Sequence, residues 1–185
     1  MRAIRFVVLL LLPLATCGSL PGTPTTPYLP PMVFGVYQDN DIGAINYAAW
    51  AFASPANTRG NPVAAMRAVI ALEYLPGELL ENPRWVGMDS LIKMRMNQAR
   101  FEVRQILGIS PDVPPQVVVN VLLWASTALQ VGDRAGALRA LEAPGFTLGP
   151  EATLARLSDL PYVQDANLAT TRVANQSFPV GGSRF

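Results

Sequence analysis

The sequence predicts an all-α fold: a single-domain bundle of about six to seven helices, preceded by a disordered, proline-rich tether. Apolar residues recur at three- and four-residue steps over long stretches, as on the buried face of a helix. A capping side chain stands directly before a proline at Asn61-Pro62 and Asn82-Pro83, which is typical of a helix start. No stretch keeps the strict alternation of a half-buried strand, so we expect no sheet.

Proline and glycine positions predict the helix boundaries. A proline costs nothing at the first helical position, because that N–H has no partner within the helix. Pro115, Pro150 and Pro161 are expected to open helices in this way, and Gly108 to end one in the left-handed conformation. The predicted helices are 42–53, 62–75, 83–107, 115–131, 134–143, 150–158 and 161–176.

Helix 83–107 is predicted to be a long surface helix. Arg95, Arg100 and Arg104 are interspersed among its apolar positions, and Asp89 and Glu102 partly neutralise them. An alternative is a basic amphipathic helix that contacts acidic lipid or cell-wall polymer. Blocks of like charge are absent, which favours a solvated face.

Segment 117–131 is apolar almost all round. It is shorter than the roughly 20 residues that cross a bilayer, and polar residues interrupt it. We therefore expect a central, fully buried helix of the bundle.

The N-terminus carries a basic start with Arg2 and Arg5, an apolar run over 6–12, and then Leu14-Ala15-Thr16-Cys17. It resembles the signal peptide and lipobox of a bacterial lipoprotein. The resemblance implies that residues 1–16 are removed and that Cys17 receives a diacylglycerol and becomes the first residue of the mature chain. Gly18 after the cysteine suggests sorting to the periplasmic face of the outer membrane. Ordinary secretion with an unmodified Cys17 and an uncleaved anchor are the alternatives.

Composition divides the mature chain into three parts. Residues 17–33 combine the lipidated cysteine with a tether rich in Pro and Thr, which cannot bury enough apolar surface to fold alone. The helical domain is expected over 34–177 and a flexible tail over 178–185. Without Arg2 and Arg5, 12 of the 14 basic side chains remain against 13 acidic ones, so we expect no nucleic-acid partner.

The residue inventory excludes most catalytic and metal sites. The chain has no histidine and one cysteine, which rules out histidine-dependent nucleophiles and thiolate clusters. Ser90 and Lys93 could share a helix face, but no partner motif accompanies them. We therefore predict no catalytic residue, metal or cofactor.

Two carboxylate pairs are the remaining candidates for hydrolysis of a sugar polymer: Asp39 with Asp41, and Glu78 with Glu81. Both pairs lie in loop-like sequence beside helix starts, where acids also serve as caps. Asp41 is most simply the N-cap of the first helix.

The tryptophans Trp50, Trp85 and Trp124 fall on apolar helical faces, and Tyr47 neighbours the first, so we expect them in the core. A ligand pocket between helices would use the same residues. Residues 124–144 are similar to one helix-turn-helix unit of a tetratricopeptide repeat. The chain lacks a second copy at the repeat period, which favours an ordinary antiparallel hairpin.

These observations predict a lipid-anchored cell-envelope protein with a non-enzymatic helical interaction or scaffold domain. Its partners would be the membrane, through the lipid on Cys17, and an envelope protein or the cell wall. A carrier that holds an apolar ligand between helices is the alternative. A cell-wall hydrolase that uses acidic residues is a further one.

Overall fold

The computed structural model describes residues 25–35 and 39–177, and within them the fold is all-helical, as predicted. Two short 3₁₀ turns, Pro55–Asn57 and Pro83–Trp85, accompany the α-helices. The α-helices are α1 Asn40–Ala53, α2 Pro62–Glu81, α3 Ser90–Ile106, α4 Pro115–Gln130, α5 Arg134–Leu141, α6 Pro150–Ser158 and α7 Gln164–Ser177. The predicted signal peptide 1–16, Cys17 and the tail 178–185 lie outside the described residues. In the described ranges, no helix combines the length and apolar character needed to cross a bilayer.

Helix α2 is the centre of the domain. It contacts α1, α3, α4 and α6, and most of its residues are buried. Helices α1, α2, α3 and α7 form one group, while α4 and α5 form a hairpin that packs on α2 together with α6. The prediction that 117–131 is the fully buried central helix was wrong, because α4 buries one face only.

Helix α2 continues beyond its predicted end at residue 75. It passes through Pro76 and Gly77 to Glu81. A proline inside a helix removes one backbone hydrogen bond. The additional turn buries Leu79 completely, and this burial offsets the loss.

The predicted helix 83–107 is divided. Asn82 accepts a hydrogen bond from the Arg84 amide and caps only the 3₁₀ turn. Asp89 then caps α3 by accepting from the Leu91 amide at 2.7 Å. The predicted stop at Gly108 is confirmed: its φ is +63°, and the next amide bonds back to the Arg104 carbonyl at 2.8 Å.

Three of the predicted proline starts are confirmed, at Pro62, Pro115 and Pro150. Pro161 does not open a helix, because α7 begins at Gln164. Leu160 and Val163 are buried on either side of the intervening residues, so the linker itself packs on the core.

A buried ion pair joins α2 to α3. The Arg104 Nε and Nη2 atoms donate to the two carboxylate oxygens of Glu73 at 2.7 and 2.6 Å. The two side chains are 2% and 1% exposed. The remaining Arg104 nitrogen donates to the backbone carbonyls of Ser110, Pro111 and Val113, which lie in the connection to α4. One guanidinium therefore fixes two helices and the path to a third.

Residues 25–33, which the sequence assigned to the tether, pack on the helices instead; we call them the N-terminal strap. Leu29 is 5% exposed and belongs to the core. The Thr26 amide and hydroxyl donate to Glu81 at 3.1 and 2.6 Å, and the Tyr28 amide donates to Gln116 at 2.6 Å. The strap contacts the C-terminal end of α2 and the N-terminal end of α4. The composition of the strap does not predict this packing, because the hydrogen-bond partners of the strap backbone are side chains of α2 and α4.

We expect Arg104→Met to lower the free energy of unfolding by about 3–5 kcal/mol, because Glu73 would remain as an unpaired buried charge. Urea unfolding at neutral pH measures the change. Glu73→Leu combined with Arg104→Met should recover part of the loss, since no charge is then buried alone. Arg134→Met, which breaks the exposed pair with Glu151, is the control and should cost less than about 1 kcal/mol. A double variant less stable than Arg104→Met would contradict this account.

Gly77→Ala should release the N-terminal strap. A Cβ at this position would lie 2.4 Å from the Thr26 backbone nitrogen, so the strap must move. Alanine favours a helix by about 1 kcal/mol over glycine, so a net loss of stability would come from the clash. Hydrogen exchange should show faster exchange at the Thr26 and Tyr28 amides. Gly87→Ala, whose Cβ meets no atom within 4 Å, should leave these amides protected.

Candidate functional site

Three of the four predicted carboxylates, Asp39, Asp41 and Glu78, lie near one another at one end of the α1–α2 group, whereas Glu81 binds Thr26. Arg84 lies between Asp39 and Asp41, with its Nη1 atom at 2.7 and 3.0 Å from their carboxylates. Glu78 lies near them, because the charges of Glu78, Asp41 and Asp39 all raise the pKa of the same tyrosine, Tyr74. We call Asp39, Asp41, Glu78 and Arg84 the acidic cluster.

The local placement of these acids differs from the prediction. Glu78 and Glu81 lie within α2 rather than in a loop. Asp41 is not the N-cap; Asp39 occupies that position, and Asp41 is buried in the first turn. Glu78 accepts a hydrogen bond from the Asn82 side chain, and Glu81 is held by the strap.

Within the acidic cluster, the pKa values of Asp39 and Asp41 are shifted in opposite directions. Burial, and then the hydrogen bond with Asp39, raises the pKa of Asp41. The same hydrogen bond, and then the bond from Arg84, lowers the pKa of Asp39. Burial, with the nearby Glu78 charge, raises the pKa of Tyr74. Two carboxyl groups whose pKa values differ can act as the acid and the base of a reaction. Here, however, Arg84 binds both carboxylates and the Ile42 amide also donates to Asp41, which favours a structural role as a clamp between the start of α1 and the turn that follows α2.

The other polar candidates are dispersed. Ser90 is exposed at the first position of α3 and Lys93 is half-buried one turn later, and no hydrogen bond joins them among the described contacts. In the part of the chain that the structure describes, no three His, Cys, Asp or Glu side chains are grouped as a metal site.

The predicted solvated arginine face of α3 was wrong for two of its three members. Arg104 is buried in its ion pair, and Arg100 is buried with its guanidinium 4.8 Å from the Phe101 ring centre. The Nε and Nη1 atoms of Arg100 have no hydrogen-bond acceptor among the described residues. Burial lowers the pKa of Arg100, and the Glu73 charge opposes this shift. Only Arg95 faces solvent.

The tryptophans occupy three different environments. Trp85 is buried, as predicted, although it lies in a 3₁₀ turn rather than on a helix. Trp50 is 47% exposed, so its predicted place in the core was wrong, and it packs edge-on against Tyr47 with ring centres 5.3 Å apart. Trp124 is 75% exposed, so its predicted place in the core was wrong.

Trp124 stands in an open apolar groove between α4 and α5. The groove is lined by Asn120, Val121, Trp124 and Ala140 and has a volume of about 220 Å³. A second open groove of about 360 Å³ lies beside Trp124, Thr127 and Ala128. Asp, Glu, Lys and Arg are all absent from the sixteen residues of α4. Exposed apolar surface of this kind commonly marks a binding site.

Comparison of the chain with models of known protein families finds no match. Searches among curated proteins and solved structures likewise find no significant match. The candidate sites therefore depend on the geometry of this chain alone.

Asp41 and Asp39 should give opposite pH dependences. A raised pKa means that the stabilising contribution of Asp41 is complete below the ordinary value of about 3.9 and is lost as pH rises through the folded value. The contribution of Asp39 is present above its ordinary value and is lost as pH falls through its lowered one. Relative to the native chain, Asp41→Asn should therefore gain stability with rising pH, and Asp39→Asn should lose it. Urea unfolding across acidic pH tests this; parallel curves would contradict it.

Proposed function

We propose that this chain is a lipid-anchored cell-envelope protein whose helical domain is a non-enzymatic interaction module. The observation that carries the proposal is the exposed, uncharged face of α4 around Trp124. An indole that is 75% exposed among apolar neighbours loses contact with water when another surface covers it. Tryptophan is also enriched among the residues that dominate interface energies.

The acidic side chains support the same conclusion. A hydrolase needs carboxylates that can reach a substrate. In this domain Asp41 and Glu78 are buried, and Asp39 and Glu81 bind Arg84 and Thr26 of the same chain. Their engagement favours a domain that binds over one that catalyses.

The shape of the grooves favours a macromolecular surface over a carried ligand. Ligand pockets enclose most of the molecule they bind. Both grooves beside Trp124 are open along their length and have few polar groups to orient a small molecule. A helix or flat surface of another protein would cover them more completely.

The proposed anchor would hold this face close to a membrane. The strap is bound to the helices from Thr26 onward, and a link of nine residue steps leads from Cys17 to Thr26. At no more than about 3.6 Å per residue, that link reaches roughly 30 Å. The proposed partner is therefore a protein of the same envelope surface.

Four forms of the chain test the proposal in cells: native, Cys17→Ala, Trp124→Glu and Val86→Glu. The native chain should be found with the membrane fraction and carry the added mass of acyl chains, and Cys17→Ala should lose the acyl mass. Crosslinking followed by purification should recover a specific envelope protein or further copies of this chain with the native form. Trp124→Glu should reduce recovery at least about tenfold, because it places a charge in the groove.

Val86→Glu is the matched control, since Val86 is 83% exposed in the turn between α2 and α3, outside both grooves, and the variant should retain full recovery. A native chain without acyl mass would contradict the anchor. Recovery that is unaffected by Trp124→Glu would contradict the docking face.

A further inference from the structure

We propose that the partner of the α4 face is a second copy of this chain, paired antiparallel across a two-fold axis at Trp124. The inference rests on the proposed function and names the surface that would cover its docking face. It is carried by the apolar positions on the side of α4 that faces away from the core, together with the residue after the helix, which we call the α4 stripe: Val117, Val121, Trp124, Ala128 and Val131.

The α4 stripe is a second apolar face on a helix that has already buried one. The face toward the core is formed by Val118, Val119, Leu122 and Ala125. The stripe follows three- and four-residue steps, the spacing at which one helix packs along another. Val117, Trp124 and Val131 are 38%, 75% and 77% exposed, whereas Val121 and Ala128 are partly buried, so the centre and both ends of the stripe are open.

The stripe is nearly symmetric about its tryptophan. Val117 and Val131 each lie seven residues from Trp124, and Val121 and Ala128 lie three and four residues from it. A two-fold interface requires a surface that complements itself when reversed. Antiparallel pairing places Trp124 against Trp124 of the second copy and each Val117 opposite a Val131. It also places each Val121 near an Ala128, so a large side chain meets a small one.

Charge favours a second copy over a charged partner. The stripe is bordered on α4 by Asn120, Thr127 and Gln130, which carry no charge. On α5, Arg139 is paired with Asp133 at 3.6 Å, and Arg134 is paired with Glu151 of α6. A partner with an exposed charge would lose its hydration here without gaining a counter-ion. A second copy presents an equally neutral surface of the same length.

The size of the stripe predicts a weak dimer. A helix of 16 residues is about 24 Å long, so one helix pair buries less than the roughly 800 Å² per partner of a stable interface. We expect a dissociation constant on the order of 10–100 µM. Such an equilibrium is sensitive to a single substitution at its centre.

Sedimentation equilibrium of the mature chain, residues 17–185 with Cys17→Ala, tests the association without acyl chains and without the apolar segment 1–16. The average mass should rise from monomer toward dimer as the concentration passes about 100 µM. Trp124→Glu brings two like charges together on the axis and should weaken association at least about tenfold. Val86→Glu should leave it unchanged, and circular dichroism should show the same helix content for both variants.

Cysteine pairing tests the direction of packing in the same background. An antiparallel pair separates the two copies of residue 117 by about 20 Å, so Val117→Cys alone should not form a disulfide-linked dimer. A mixture of Val117→Cys and Val131→Cys chains should form one under mild oxidation. Dimers of Val117→Cys that form as readily as those of the mixture would overturn the antiparallel arrangement.

A chain that stays monomeric at the highest concentration, or a dimer that is indifferent to Trp124→Glu, would overturn the proposal. So would Trp124-dependent binding of a monomeric chain to phospholipid vesicles. If the monomeric chain is instead crosslinked through Trp124 to a different envelope protein, self-association fails while the proposed interaction function stands.

Discussion

The ion pair between Glu73 and Arg104 is the constraint on which the arrangement of helices depends. Burying two charges costs several kcal/mol each, and the pair offsets this only when its geometry is good and its other polar atoms have partners. Glu73 meets the guanidinium in a two-point contact, and the third nitrogen reaches carbonyls beyond the end of α3. The chain must therefore turn at Gly108 and return past Arg104 before α4 can begin. The orientation of α4, and with it the exposed face, follows from a salt bridge in the core.

Burial in this domain is decided by partners rather than by the apolar content of a helix. Helix α2 carries Glu73 and Glu78 and is the central element, whereas α4 carries no charge and leaves one side in solvent. A charged residue can occupy the centre because Arg104 neutralises it. An uncharged helix can stay at the periphery because α2 already has neighbours on its other sides. Helix α4 therefore buries only part of its apolar surface, and the part that stays exposed is the candidate binding surface.

Local chemistry made much of the fold predictable, and contacts between distant residues decided the rest. Pro62, Pro115, Pro150 and Gly108 mark boundaries because their effects depend only on their own backbone. The end of α2, the burial of Arg104 and the packing of residues 25–33 depend on neighbours from other elements, which no local pattern reports. The exposure of the candidate site is likewise decided by contacts between distant residues. Trp124 has the sequence context of a core residue, yet it lies on the side of α4 that faces away from the core.

A lipid on Cys17 would restrict how two copies could pair. The strap enters the domain at the N-terminal end of α4, where Tyr28 and Gln116 exchange hydrogen bonds. In an antiparallel pair these two ends point in opposite directions along the helix axis. Both lipids can reach one bilayer only if α4 lies parallel to the membrane and the two-fold axis is normal to it. Because the link between Cys17 and the strap reaches roughly 30 Å, this geometry lets both anchors insert on the same side of the dimer.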